Sequence, residues 1–175
     1  MVAVSDAEPP PKSHYERGLE SGFDDAWHAE WWRQMEETGG NIIAAMRMRM
    51  VSSSPDGVVM EMPIGPGVRQ GTGVFAAGAL IQLADVAATS ACFDVMHAAD
   101  PQNEVLPFPL AVQVSSSLLR NTDRGKVIAQ SRVVHAGRTM MVCEGKVKDD
   151  AGRLLCTVTT THLIVKRLEL GWSTG

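Results

Sequence analysis

Hydrophobic positions along the chain keep two different periods. MRMRMV (46–51) and VVMEMPI (58–64) alternate with period two. SSSPDG (52–57) between them is turn chemistry, so the pair predicts a β-hairpin. Residues 74–97 are apolar nearly all the way round a helical period, which predicts a buried helix of about 24 residues, roughly 36 Å long. Period two then returns in LAVQVSSSLL (110–119), KVIAQSRVVH (126–135), RTMMVCEGKVKD (138–149) and LLCTVTTTHLIV (154–165). Gly-containing turns separate these segments, so they predict an antiparallel meander of three hairpins. GPGVRQGTG and DPQNEVLPFP (100–109) read as loops.

The predicted order is ββαββββ. One buried helix and about six antiparallel strands can cover each other's apolar faces only if the sheet curls around the helix. That arrangement is the α+β hot-dog fold. Ahead of it, DDAWHAEWWRQMEE (24–37) reads as a further helix. Asp24 or Asp25 caps it, Trp27, Trp31 and Trp32 share one face for packing, and Gly39 and Gly40 end it. The expected organisation is a flexible tail over 1–18, an N-terminal helix within 19–41, the hot-dog domain over 42–166 and a C-terminal tail over 167–175. An exposed sheet edge and outer face predict a dimer or a dimer of dimers.

Composition narrows the partners. The chain has 175 residues and a net charge of −4, which argues against nucleic acid. No apolar run reads as long enough to cross a bilayer, and the polar, Pro-rich start does not read as a signal peptide, so the expected location is the cytoplasm. Cys92, Cys143 and Cys156 are odd in number with no CxxC, which fits reduced core thiols. The five histidines show no metal-ligand spacing, and no metal site is expected.

Between Arg69 and Asp94 only Asp85 is charged. A carboxylate in the most apolar segment is costly, so it either does chemistry or makes a polar contact to a neighbouring strand or subunit. GTGVFA (71–76) matches the G-x-G-x-x-A dinucleotide fingerprint, but the strand directly before it and the parallel βαβ unit are missing. Its glycines instead suit close backbone approach to a ligand, or close packing of helix on sheet. The helix N-terminus presents N–H groups around Ala76, Ala77 and Gly78 to an oxygen gaining negative charge. Asp85 lies about 12 Å further along the same helix than Ala77. One chain cannot aim both at one carbonyl, but two antiparallel helices across a dyad can.

QGTGVFAAGALIQLADVA (70–87) resembles the N-x-x-G-x-x-H-G-G-x-x-x-x-L-A-D-x-A segment of PaaI-like acyl-CoA thioesterases, a hot-dog family. The resemblance continues through SSSLLRNTDRGKVIAQSRVVHAGRTMMVCEGKVKDDAGRLL and covers roughly 42–165. It implies hydrolysis of a fatty or aryl acyl-CoA to the free acid and coenzyme A. Asp85 takes the place of the catalytic carboxylate, as base or nucleophile. Ala77 stands at the first Gly of H-G-G, whose N–H polarises the thioester carbonyl, and Gly78 at the second. Ala76 replaces the family His and Gln70 the family Asn, Gln70 keeping an amide. Phe75, Ala76, Leu83 and Phe108 are expected along the acyl pocket. Arg120 and Arg138, with Arg124 and Arg132, are expected near the coenzyme A phosphates. No cofactor is implied beyond the coenzyme A of the substrate. Because Ala76 and Gln70 depart from the motif, a non-catalytic acyl-CoA-binding or assembly domain stays open beside the hydrolase.

Overall fold

The computed structural model describes Glu30, Arg33 and residues 41–102 and 107–165. The tail 1–18, the C-terminal tail 167–175 and, apart from Glu30 and Arg33, the helix expected over 24–37 lie outside the described residues. A short helix α1 (Ile42–Ala45), capped by the Asn41 side chain on the Ala44 N–H, leads into β1 (Arg49–Ser54) and β2 (Gly57–Pro63). The long helix α2 (Ala77–Ala99) follows, then β3 (Phe108–Leu118), β4 (Lys126–Ala136), β5 (Met140–Asp149) and β6 (Leu154–Val165). All strand pairs are antiparallel. The sheet packs on α2 from all six strands, which is the hot-dog fold expected from the pattern.

The boundaries move for local reasons. Strand β1 begins at Arg49 rather than 46, because Arg47 leaves α1 with a φ of 55° and breaks the Met/Arg alternation. The expected meander is corrected at one joint. The sheet order is β1-β2-β4-β5-β6-β3, so β3 pairs with β6 and not with β4. NTDRG (121–125) is therefore a crossover rather than a hairpin turn. Asn121 Nδ2 donates to the Phe75 carbonyl at 2.8 Å, the Phe75 N–H donates to the Thr122 carbonyl, and the Ile64 N–H donates to that of Gly125. These bonds tie the segment to the chain entering α2, and β4 takes its place beside β2.

One further expectation fails: α2, at 23 residues, is long and apolar enough by length and composition to cross a membrane. Half of its most apolar window is buried inside the protein, and its hydrophobicity is that of a core helix.

The main core lies between α2 and the sheet, where Leu80, Leu83, Ala84, Ala87 and Ala91 meet Met60, Met62, Val127, Val147 and Leu155. Small residues set the spacing. A Cβ at Gly145 of β5 would stand 2.8 Å from Ser131 Oγ and 3.7 Å from Ala84 Cβ. Ser131 in turn donates to the Ala84 carbonyl at 3.2 Å. Gly145→Val should therefore push helix and sheet apart. We expect a loss of about 1–3 kcal/mol, the usual cost of overpacking, read as a lower urea midpoint.

Candidate active site

Helix α2 begins at Ala77, three residues later than its apolar pattern, because the preceding residues spend their backbone groups elsewhere. The Gln70 N–H donates to the Val74 carbonyl at 3.0 Å and the Gly73 N–H to the Gln70 carbonyl at 2.9 Å. Gly73 closes this turn at a φ of 89°, a region that favours glycine. The Ala76 N–H donates to the Val68 carbonyl at 2.8 Å, so of the three expected donors Ala76 is already taken. The N–H groups of Ala77 and Gly78 have no hydrogen-bond partner among the described residues, and both residues are exposed. They open a helix of 23 residues whose first turn holds no acidic side chain. Two free donors at the positive end of a helix dipole form a ready site for an oxygen that gains charge.

Asp85 is half-buried two turns further on, and its Oδ1 is buried with no hydrogen bond. Burial pushes its carboxyl above the usual range, and the nearby His162 imidazole draws it back in part. His162 was not among the expected site residues. It sits on β6, fully buried, with Nε2 2.8 Å from Thr160 Oγ1 and Nδ1 3.3 Å from the Pro109 carbonyl. Burial works against a charged imidazole there. Cys143, the Pro109 carbonyl and Asp85 outweigh it and raise the His162 pKa. The only signal for it in the sequence was a titratable residue inside the β-branched run TVTTTHLIV.

The other expected site residues divide. Gln70 is exposed, and its amide donates to Thr72 Oγ1 at 2.9 Å within its own loop. Phe75 and Leu83 are both 0% exposed, in the main core between α2 and the sheet. Ala76 is partly buried against that core. Phe108 packs edge-on to Phe93 of α2, with ring centroids 5.7 Å apart. Arg124 pairs with Asp123 and Arg132 with Glu144. Arg120 is exposed and donates to the Leu154 carbonyl at 3.2 Å, whereas Arg138 is exposed just ahead of Met140, which pairs with Leu163. Leu154 and Leu163 are nine residues apart on β6, about 30 Å. One chain therefore does not bring Arg120 and Arg138 to the same phosphate.

Comparison with known proteins agrees with the fold. The family model described as the thioesterase superfamily matches residues 72–156, the span that holds the helix N-terminus and Asp85. A Deinococcus radiodurans protein named "Putative esterase" is 33% identical over 122 residues, covering 69% of this chain and 72% of its own. Among solved structures, a thioesterase from Haemophilus influenzae superposes with a TM-score of 0.68 at 18% identity, over 80% of this chain and 94% of that one. A hypothetical thioesterase from Streptococcus pneumoniae, solved with coenzyme A, superposes with a TM-score of 0.59 at 17% identity, over 69% and 90%.

Proposed function

The chain belongs to the thioesterase superfamily, and from that premise we propose that it hydrolyses a fatty or aryl acyl-CoA to the free acid and coenzyme A at a site shared by two chains. The observation that carries this reading is the separation of its two reactive parts. Ala77 and Gly78 offer unpaired N–H groups at the start of α2, and Asp85, with an unpartnered Oδ1, lies eight residues beyond Ala77. That distance is about 12 Å along the helix. The thioester carbonyl binds at the helix start of one chain, where the N–H groups stabilise the oxyanion. The carboxylate of Asp85 from the other chain activates water or attacks the carbonyl directly. The thiolate of coenzyme A leaves. Water, a base and an oxyanion site suffice for this reaction, so it calls on no redox cofactor.

Strand β3 is the natural place for the two chains to meet. It pairs with β6 on one side only, and Val112, Val114 and Leu118 are exposed along it, with Leu119 exposed just past its end. An apolar strand edge of this kind invites a second copy. In such a pair, Arg120 accompanies the helix start of its own chain, and Arg138, from the opposite end of the sheet, serves coenzyme A bound mainly by the partner. The second reading, binding without cleavage, draws on Ala76, whose methyl offers no polar group beside the carbonyl.

A free-thiol release assay over a panel of acyl-CoAs decides between the two readings. Turnover of any member supports hydrolysis, and saturable binding with no thiol release supports a binding module. Val114→Glu tests the shared site. We expect it to convert the chain to a monomer in sedimentation and to abolish turnover at the same time. A monomer with full activity would sink the two-chain geometry.

A further inference from the structure

A second polar cluster lies beyond Asp85, between the C-terminal half of α2 and the sheet. Cys92 of α2, Cys143 of β5 and His162 of β6 are all buried, and their ligand atoms lie within 4.8 Å of one another. Cys92 Sγ and Cys143 Sγ are 3.4 Å apart. The Pro109 carbonyl 3.3 Å from His162 Nδ1 can only accept, so Nδ1 carries the ring proton and Nε2 keeps its lone pair, 2.8 Å from Thr160 Oγ1. A histidine that ligates a metal through one nitrogen and donates from the other to a backbone carbonyl has this arrangement. Cys92 is seven residues past Asp85, about 10 Å along the helix, while His162 lies between the two and also feels the Asp85 charge.

We propose that Cys92, Cys143 and His162 bind a zinc ion that staples α2 to β5 and β6. Tetrahedral zinc, with Zn–S near 2.3 Å and Zn–N near 2.0–2.1 Å, spaces its donor atoms roughly 3.5–3.8 Å apart, close to the 3.4 Å between the two sulfurs, with the histidine nitrogen within 4.8 Å of both. Two thiolates and an imidazole favour a soft ion over magnesium or calcium. Binding releases both thiol protons to solvent. Zn²⁺ with two thiolates and a neutral imidazole then carries no net charge. That suits the apolar surroundings, which include Ala88, Met141, Val95, Met96, Val133 and Ile164. Thr160 Oγ1, 2.8 Å from Nε2, is placed to supply an oxygen in the fourth position. The ion is structural, and it closes the smaller core formed by Ala88, Cys92, Met141 and Cys143. Sequence spacing hides such a site because the three ligands come from three elements.

The test uses the full chain expressed with zinc in the medium and kept reduced. Metal analysis should find one zinc per chain. After chelation, added Co²⁺ should produce a thiolate-to-cobalt charge-transfer band. Cys143→Ser should remove or halve that band, and Cys156→Ala should leave it. Zinc-edge X-ray absorption on the unmutated chain reads the ligand set without any variant. We expect two sulfurs at about 2.3 Å and an imidazole nitrogen at about 2.0–2.1 Å. Substoichiometric zinc with no charge-transfer band in protein whose three thiols titrate as free would overturn the proposal. So would a first shell without sulfur.

Discussion

Asp85→Asn is expected to lower thioester hydrolysis at least ~10²-fold, the lower range for losing a general base, while the protein stays folded. The change keeps the shape of the side chain and removes its negative charge. It takes away both roles open to Asp85, because an amide neither accepts a proton from water nor attacks a thioester. Stability should move the other way. Burial holds the folded-state pKa of Asp85 above its ordinary value. Its contribution to stability is then full below the unfolded-state pKa and is lost as pH rises through the raised folded-state pKa. At neutral pH the ionised, partly desolvated carboxylate works against folding, so the Asn variant should melt at the same or a higher temperature. That advantage should fade in acid, where the wild-type carboxyl is also neutral. The same shift places the acid limb of the wild-type rate profile above the ordinary aspartate range, since hydrolysis needs the ionised form. A variant that melts lower but turns over normally per folded molecule would end the catalytic assignment and make Asp85 a structural contact.

How much of this was legible in the sequence depends on how local each cause is. The helix and the strands follow from periodicity, and Asp85 stood out because nothing near it in sequence is charged. The position of β3 did not follow. A Gly-containing turn at NTDRG (121–125) looks the same whether the chain folds back or crosses over. The choice rests on Asn121, Thr122 and Gly125 bonding to Phe75 and Ile64, some fifty residues away. The start of α2 was misplaced for a related reason, since Val74, Phe75 and Ala76 are apolar enough for a helix yet spend their backbone groups on Gln70, Thr122 and Val68. Phe75 and Leu83 were expected at a pocket because apolar residues near Asp85 read alike from either face of a helix. Only the packing partners show that both point into the core. His162 was passed over because its neighbours Asp85, Cys143 and Pro109 come from three other elements.

Ala77→Pro should lower the catalytic rate about 10²–10³-fold, the usual effect of deleting one oxyanion donor, with little loss of helix. Ala76 is the N-cap of α2 and Ala77 its first residue, where a helix N–H has no partner within the helix. Proline is favoured there because its fixed φ suits the first turn and the missing N–H breaks no helical bond. It also restricts the residue before it to extended backbone, and Ala76 already lies at φ −65°, ψ 139°. The substitution thus removes one of the two unpaired N–H groups and little else. If that N–H stabilises the oxyanion, kcat should fall with KM nearly unchanged, because the donor matters most once charge has developed on the oxygen. Ala77→Ser keeps the N–H and should keep most of the rate, which separates loss of the donor from disturbance of the loop. Circular dichroism and sedimentation of the proline variant should match the parent. Full activity in a folded Ala77→Pro dimer would mean that the oxyanion site lies elsewhere than at the start of α2.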